Sequence, residues 1–325
     1  MATIPRSEHV PATVGEARVW ANLVKYAEDA RGAFAPATER AIRSDIAVFT
    51  HWCDLEGRQA MPASAETVVA FIDGMAAIKA TATVRRYVSS VSAFHRAAEV
   101  ANPSATQAVK LALKRMHNSK GRAQQQAEPL NEGMVRKLLE ARGNRLRDIR
   151  NRALLVLAYV SLCRRSELTA LRFEDFCTEP DGFGTILIRR SKGDQEGVGA
   201  ILPVPQDAAK YVMKWIETAR IEDGALFRAV RHSGNVGGAL DPGDVARIFK
   251  TMGRRAGLPA KECARISGHS TRVGSAQDML RYKETLPAIM ASGRWKSSEM
   301  VGRYVAKVGA RESAAKRIAD QRPPF

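Results

Sequence analysis

The sequence lacks the features that mark several large protein classes. Its 325 residues include only four cysteines, no two of which form a CxxC pair, and no group of cysteines and histidines has the spacing of a zinc site. No run approaches the roughly 20 apolar residues that span a membrane. The N-terminal MATIPRSEHV does not have the apolar run of a signal peptide. We therefore expect a cytoplasmic protein whose cysteines are reduced and packed in its cores.

Motifs for nucleotides and catalytic metals are missing as well. The chain contains no GxxxxGK[ST] phosphate loop, no GxGxxG and no HExxH. The sequence therefore lacks the usual signatures of ATP-driven motors, dinucleotide-dependent enzymes and zinc proteases. The sequence accordingly predicts neither a metal nor a cofactor.

Acidic residues are scarce relative to basic ones. Lys and Arg number 51 against 34 Asp and Glu, which gives a formal net charge of +17. Such an excess, in a chain with enough apolar residues to form a core, favours a polyanionic partner, most often nucleic acid. A basic protein without such a partner is the alternative at this point.

Hydrophobic periodicity divides the chain into two parts. Residues 14–116 have an almost purely helical pattern, as in RAIRSDIAVFTHWCDLEG, and predict a helical bundle in which Ser64 begins one helix. Residues 1–13 are predicted to be a flexible N-terminus. Residues 117–129, HNSKGRAQQQAEP, are polar and end in a proline, a composition typical of a linker.

The second part, residues 130–325, mixes helices with one hairpin pattern. Two short apolar runs, TILI and AILPV, are separated by a glycine-rich polar turn, and Lys192 lies close to that turn. Asn131 and the pair Asp241-Pro242 are typical helix starts. The predicted fold class is mainly α with a small β-sheet or hairpin, made of an N-terminal helical bundle and a C-terminal mixed α/β domain.

The second part also carries an ordered set of polar and aromatic residues. The set comprises Arg164, Glu167, Lys192, His269, Arg272, Trp295 and Tyr304. Residues three apart on a helix share a face, so His269 and Arg272 are expected to point at one spot. Arginine suits phosphate oxygens, a tyrosine hydroxyl can attack phosphorus, and a lysine can protonate a leaving oxygen. Taken singly, each residue also fits a surface ion pair, a solvated cation or an aromatic core.

In this order, the set resembles the tyrosine recombinase (phage integrase) family. The segment SGHSTRVG, residues 267–274, and the nine-residue spacing from Trp295 to Tyr304 carry the resemblance most specifically. It covers residues 130–325 well and residues 14–116 only in outline, as a core-binding domain. The resemblance implies an enzyme that cleaves and rejoins DNA at specific sites without metal or ATP, with its two domains clamping a duplex.

The resemblance also implies a role for each polar residue of the set. Arg164 and Arg272 would grip the scissile phosphate, and Glu167 would position the site. His269 would serve as acid or base and as a phosphate ligand. Lys192 would be the general acid that protonates the leaving 5′ oxygen.

The aromatic members complete the implied site. Trp295 would pack beside the phosphate and donate its indole N–H. Tyr304 would be the nucleophile that forms a 3′-phosphotyrosine, and strand exchange would proceed through a Holliday junction. Of two adjacent arginines, the family spacing selects Arg164 rather than Arg165.

Basic residues on predicted helices are the candidate DNA contacts. The helices near Arg85 and near Arg247 carry basic side chains beside polar ones and are candidate readers of the major groove. Contact with phosphates alone is the alternative, and a solvated face is the alternative for the basic run before the linker. The full set is Arg43, Arg85, Arg86, Lys110, Lys114, Arg115, Lys120, Arg122, Arg247, Lys250 and Arg254.

An assembly on double-stranded DNA is implied as well. The expected target is an inverted-repeat site that binds a dimer, with a tetramer in the synapse and the protein at the bacterial nucleoid when bound. Gly309 is expected to break the chain after Tyr304, and Ala314, Ala315 and Ile318 have helical spacing. That terminal helix would dock on a neighbouring protomer or on its own domain. A type IB-like topoisomerase or telomere resolvase, and a DNA-binding protein without catalysis, are the alternative functions.

Overall fold

The protein folds as two compact units, which comprise residues 1–125 and 126–325. In the computed structural model the described residues are 14–121, 126–141, 143–191, 193–194, 196–311, 318 and 321–322. A helix continues to Lys120 and ends at Gly121, which has a φ of +74°. The expectation that residues 117–120 are linker is therefore wrong, because their polar side chains are also compatible with the last turn of a helix.

The first unit is a helical bundle, as predicted. Its described helices are α1 (Val14–Asp29), α2 (Pro36–Leu55), α3 (Ala65–Ile78), α4 (Thr81–Ala97) and α5 (Gln107–Lys120). The core is formed by fully buried side chains that include Phe49, Phe71 and Val84. The rings of Phe49 and Phe71 meet edge to face, with centroids 5.0 Å apart.

The second unit is built around one buried helix. Its described helices are α6 (Glu132–Glu140), α7 (Leu146–Ser161), α8 (Arg165–Ala170), α9 (Gln206–Ala219), α10 (Pro242–Arg255), α11 (Ala260–Arg265), α12 (Ser270–Arg281), α13 (Leu286–Gly293) and α14 (Ser298–Arg311). Leu154, Leu155 and Leu157 of α7 are fully buried, and α9 packs against this helix. Trp215 of α9 is also buried and donates its indole N–H to the Leu226 carbonyl at 2.8 Å.

Side-chain caps begin several helices where the sequence predicts them. The Ser64 hydroxyl accepts the Thr67 N–H at 3.2 Å at the start of α3. The Asn131 side chain accepts the Met134 N–H at 3.0 Å at the start of α6. Asp241 caps α10 and is followed by proline at the first helical position. These caps satisfy N–H groups that have no partner within the helix.

The predicted hairpin is present and forms the last two strands of a three-stranded antiparallel sheet. Its strands are β1 (Phe176–Thr178), β2 (Gly184–Ile188) and β3 (Ala200–Val204), in the order β1-β2-β3. Ile186 pairs with Leu202, and both are buried, whereas Ile201 on the opposite face is exposed. A second antiparallel pair, β4 (Arg228–Val230) and β5 (Val236–Ala239), was not predicted, because strands this short show no alternation to detect.

Two expectations about single residues are wrong. Gly309 does not break the helix after Tyr304, since α14 passes through it to Arg311, and a helix tolerates one glycine at a cost of about 1 kcal/mol. Cys177 is exposed, whereas the other three cysteines are buried, because it lies on the solvent side of the short strand β1. Ala314 and Ala315 lie outside the described residues, and Ile318 is exposed. Of the helices described, none is long and apolar enough to cross a membrane.

Candidate active site

Arg164 and Glu167 are joined at the start of a short helix. Arg164 is the residue that caps α8, and Glu167 is its third residue. The Glu167 carboxylate accepts the backbone N–H of Arg164 at 2.9 Å and its guanidinium at 2.6 Å. Burial acts to raise the pKa of Glu167, but these hydrogen bonds and the charges of Arg294 and Arg164 outweigh it and hold the pKa below its ordinary value. Glu167 is therefore an ionised carboxylate that fixes the Arg164 side chain.

Arg165 is placed differently from its neighbour. Its side chain is exposed and lies against the loop before α12, where a Cβ built on Gly268 would come within 2.9 Å of the Arg165 Cδ atom. Arg164 is thus the arginine that contacts Glu167, as the spacing suggested. The catalytic role of Arg164 stays a prediction.

Arg272 is buried in the first turn of α12, with 1% of its surface exposed. Its guanidinium donates to the Leu162 carbonyl and, at 2.8 Å, to the Gly293 carbonyl. It also lies over the Trp295 ring, 5.0 Å from the centroid. Burial and the nearby charge of Arg164 lower the pKa of Arg272 to about 10, so the side chain is still a cation at neutral pH. Arg272 is consequently a fixed positive charge in a site with little water.

His269 precedes α12 and does not belong to its regular turns. The helix begins at Ser270, and the His269 N–H donates to the Ser267 hydroxyl at 3.1 Å. The sequence placed His269 and Arg272 on one helical face. In the structure His269 is the exposed cap of the helix, with its carbonyl accepting the Val273 N–H at 3.0 Å, and Arg272 is buried. That the two side chains point at one spot stays a prediction.

Trp295 and Tyr304, the two aromatic members of the set, pack together. Their ring centroids are 5.2 Å apart at an interplanar angle of 34°, and Trp295 is only 4% exposed. The Trp295 indole nitrogen is buried and has no hydrogen-bond partner among the described residues. A buried donor without an acceptor costs about 1–3 kcal/mol. A bound ligand could therefore supply the acceptor that the Trp295 indole N–H lacks.

Two glutamines that sequence reasoning missed hold the helix of Tyr304. The side-chain amide of Gln126 donates to the carbonyls of Arg303 and Tyr304, at 2.8 Å and 3.0 Å. The Gln277 amide donates to the Tyr304 carbonyl at 3.0 Å, and Gln277 is buried. Because Gln126 belongs to a segment read as linker, nothing in its local pattern marked it.

A third arginine, Arg294, joins the site and was also missed. Its guanidinium donates to the Glu167 carboxylate at 2.6 Å and to the sulfur of Cys163 at 3.8 Å. Two guanidinium groups, those of Arg164 and Arg294, thus share one carboxylate, and the guanidinium of Arg272 lies near enough to sense its charge. The cluster has an excess of positive charge and is suited to an anion. The only signal in the sequence was the position of Arg294 directly before Trp295.

Two predicted residues, Lys192 and Arg122, lie outside the described part of the chain. Beside Lys192, the turn is organised by Asp194, whose carboxylate accepts the backbone N–H groups of Gly197, Val198 and Gly199. The roles of Lys192 and Arg122 stay predictions.

The predicted DNA contacts of the first unit fall into two classes. Arg85 of α4 and Lys110 and Lys114 of α5 line one groove of about 580 Å³, together with His117 and Asn118. Other members of the set are already engaged by acidic or backbone groups. Arg86 pairs with the buried Asp45 at 2.9 Å, Arg115 pairs with Asp73, and Lys120 donates to a backbone carbonyl. Arg43 is exposed on α2.

In the second unit the predicted contacts lie on α10. Arg247 and Arg254 are exposed, and Lys250 is half-buried. Arg247 pairs with Asp244 of the preceding turn at 2.7 Å, which neutralises part of its charge. Arg254 donates to the Thr251 hydroxyl at 3.2 Å. DNA contact by these residues stays a prediction.

Comparison with known proteins places these features in a family. Residues 128–310 match the phage integrase family. The chain is 31% identical over 282 residues to an integrase/recombinase of Selenomonas ruminantium described as a XerD homologue, covering 83% of this chain and 82% of the relative. It is 29% identical over 329 residues to the recombinase Cre of Escherichia phage P1, covering 96% and 95%. A structure of a lambda integrase tetramer bound to a Holliday junction shares its fold, with a TM-score of 0.61 and 17% identity over 88% of this chain and 76% of that one.

These matches confirm the family resemblance that the ordered residues predicted. The matched segment spans more than half of the chain and includes all seven residues of the set, from Arg164 to Tyr304. Cre, with which the segment at 267–274 and the spacing of Trp295 and Tyr304 had suggested a closer likeness, is among the relatives. The chain belongs to the phage integrase family and is a tyrosine recombinase, an enzyme of site-specific DNA recombination.

Proposed function

We propose that this enzyme recombines DNA as Cre does, by cleaving and rejoining strands through a 3′-phosphotyrosine intermediate and a Holliday junction. The observation that carries the proposal is the cationic cluster next to Tyr304, in which three arginines lie around a single carboxylate. The buried Arg272 donates only to backbone carbonyls, and the Trp295 indole N–H has no partner among the described residues. A scissile phosphodiester would supply an anion and the missing acceptor.

Each residue of the site has a role in this proposal. The Tyr304 hydroxyl attacks phosphorus, a new O–P bond forms, and the bond to the 5′ oxygen breaks as Lys192 gives that oxygen a proton. Arg164 and Arg272 stabilise the charge that grows on the equatorial oxygens, and one preorganised donor of this kind is worth about 3 kcal/mol. His269 acts as the base that accepts the proton of the attacking hydroxyl, and it also binds the phosphate. Because the phosphotyrosine keeps the bond energy, religation needs no further energy source.

The DNA and the assembly belong to the same proposal. The groove of Arg85, Lys110 and Lys114 offers cations for the phosphates of a duplex, and exposed cations on α10 offer a second set. We take the target to be an inverted repeat that binds a dimer of the protein. Two such dimers on DNA form the tetramer that exchanges strands. The lambda integrase relative is described as such a tetramer on a Holliday junction. The residues after Tyr304 are the proposed link between protomers.

The test is the removal of one hydroxyl. Tyr304→Phe is expected to keep DNA binding and to lose every covalent protein–DNA adduct, because the nucleophilic oxygen is gone. The substrate is a nicked duplex built on an inverted repeat that the protein selects from a randomised library, and adducts are counted on a denaturing gel.

Tyr282→Phe is the matched control, since it removes an exposed hydroxyl that contacts Glu132 elsewhere in the same unit. It should form adducts as the wild type does. An adduct with Tyr304→Phe would show that another residue is the nucleophile. Relaxation of supercoiled DNA without strand exchange by the wild type would favour a topoisomerase instead.

A further inference from the structure

We infer that Arg294 is a positioning residue of the recombination reaction, which holds the Glu167 carboxylate so that Arg164 is fixed for the phosphate. The inference rests on the proposed function and adds a residue to it. Arg294 itself does not contact the reacting atoms in this reading, because its unengaged nitrogens are buried away from solvent.

The geometry of Glu167 is the first support. One carboxylate oxygen, Oε1, accepts the Arg164 guanidinium at 2.6 Å. The other, Oε2, accepts the Arg164 backbone N–H at 2.9 Å and the Arg294 guanidinium at 2.6 Å. Without Arg294, Oε2 would keep only a neutral backbone donor. The carboxylate would then be free to turn, and the ion pair that orients Arg164 would turn with it.

The backbone around Arg294 is the second support. Three consecutive residues contact the cluster: the Gly293 carbonyl accepts from Arg272, the Arg294 side chain binds Glu167, and the Trp295 ring lies under Arg272. Arg294 has a φ of +52° and is the left-handed residue that ends α13. It therefore makes its contact with Glu167 from a position between two residues that hold Arg272.

The unpartnered atoms of Arg294 are the third support. Its side chain is 16% exposed, and its Nε and Nη1 atoms are buried without a hydrogen-bond partner in the described structure. A cation that is only partly compensated in this way raises the positive potential of the site, where Arg272 and Arg164 already lie.

The experiment compares Arg294→Met with Arg294→Lys. Methionine keeps much of the volume and removes the charge, whereas lysine keeps the charge and one donor. We expect cleavage of the nicked duplex in a single turnover to fall by roughly tenfold to a hundredfold in Arg294→Met, the loss expected for one charge-assisted hydrogen bond of about 1.5–3 kcal/mol. Lysine should restore a large part of that rate. Affinity for the intact duplex should stay nearly unchanged in both.

A pH profile separates positioning from a general loss of stability. The charged or ionisable groups that face Glu167 are Arg164, Arg294 and Arg272, together with the Cys163 thiol, whose burial raises its pKa. Removing Arg294 takes away one of the cations that hold the carboxylate ionised. The acid limb of the cleavage rate should therefore move to higher pH in Arg294→Met and move back in Arg294→Lys.

Arg281→Met is the matched control. It removes an arginine ion pair of the same unit, with Asp278 at 2.7 Å, outside the cluster. It should lower the melting temperature without moving the pH profile. A wild-type rate and profile in Arg294→Met, or a Lys variant no better than Met when both are folded, would overturn the inference. If the wild type itself forms no adduct, the proposed function fails and the inference falls with it.

Discussion

Two groups of cations in this enzyme, the arginine cluster around Glu167 in the second unit and the groove of Arg85 in the first, are held in opposite ways. In the second unit, Arg272 is almost fully buried and donates to two backbone carbonyls, and Arg164 and Arg294 share the Glu167 carboxylate. In the first unit, Arg85 and its neighbouring lysines lie in an open groove. The buried cations lost their side-chain freedom when the protein folded, so they need not lose it again when a phosphate arrives.

This difference shows how positively charged side chains can serve either catalysis or DNA affinity. A fixed cation in a dry site discriminates between the ground state and a transition state that carries more charge. An exposed cation gives affinity that depends on counterion release and declines with salt. Variants of the buried cluster should therefore change the rate of cleavage, whereas variants of the exposed groove should change DNA affinity and its dependence on salt.

Arg272→Met should give the largest loss. The change removes the buried cation and leaves the Leu162 and Gly293 carbonyls without their donor. Cleavage should fall by roughly a hundredfold or more, since one preorganised donor contributes about 3 kcal/mol. Single-turnover adduct formation measures it, and chemical denaturation should report a lower free energy of unfolding. A variant that binds DNA weakly but cleaves normally would contradict the contrast between the units.

Glu167→Gln should have an effect of about tenfold on cleavage, because Arg164 loses a charged acceptor but keeps a neutral one. The pKa of this carboxyl is lowered on folding from its ordinary value of 4.5, so ionised Glu167 stabilises the fold above that value. That contribution disappears as the pH falls through the folded-state pKa. Urea unfolding at pH 7 and at pH 4 should accordingly show the gap between wild type and variant shrinking. An unchanged gap would mean that Glu167 is not ionised in the fold.

Arg85→Ala and Arg86→Ala form a matched pair on adjacent positions of α4. Arg85 lines the groove, whereas Arg86 pairs with Asp45, which is fully buried. Arg85→Ala should weaken DNA binding by roughly fivefold and reduce the log–log salt slope by about 0.9, as for one lost phosphate contact. Arg86→Ala should affect binding less and stability more, because it leaves a buried carboxylate without its cation. Gel-shift titrations at several salt concentrations measure the binding, and thermal melts measure the stability. An unchanged affinity and salt slope in Arg85→Ala would show that the groove is not the DNA contact.

Gln277→Leu should have the smallest effect, a loss of about threefold in cleavage, corresponding to one weak neutral hydrogen bond. The leucine cannot donate to the Tyr304 carbonyl, so the turn that carries this proposed nucleophile is held less firmly. DNA affinity should not change. Loss of affinity with normal cleavage would show that Gln277 acts on binding and not on the nucleophile.

Sequence reasoning reached the parts of this molecule that depend on local chemistry. Helix caps at Ser64, Asn131 and Asp241 and the β2–β3 hairpin follow from residue types and spacing within a few positions. The family resemblance rested on the order of a few rare residue types along the chain. The roles of the individual site residues remain predictions, since they concern contacts with DNA.

The parts that were missed depend on contacts between distant segments. Arg294 meets Glu167 across 127 positions, and Gln126 meets Tyr304 across 178. A pattern read along the chain cannot reveal such pairs, because each residue looks like an ordinary surface residue in its own segment. The uninterrupted α14 was missed for the opposite reason: a glycine was given more weight than the helix-forming residues around it.

The hydrogen bonds of Gln126 have a consequence for protein engineering. Gln126 is the first residue of the second unit, and it is fastened to the carbonyls of Arg303 and Tyr304. Farther along, Leu130 donates to the Ser270 carbonyl, and its backbone passes where any Cβ at Gly274 would collide. A chimera that exchanges the first unit should therefore be spliced before residue 126. A splice only a few residues later would leave Tyr304, the proposed nucleophile, without part of its support.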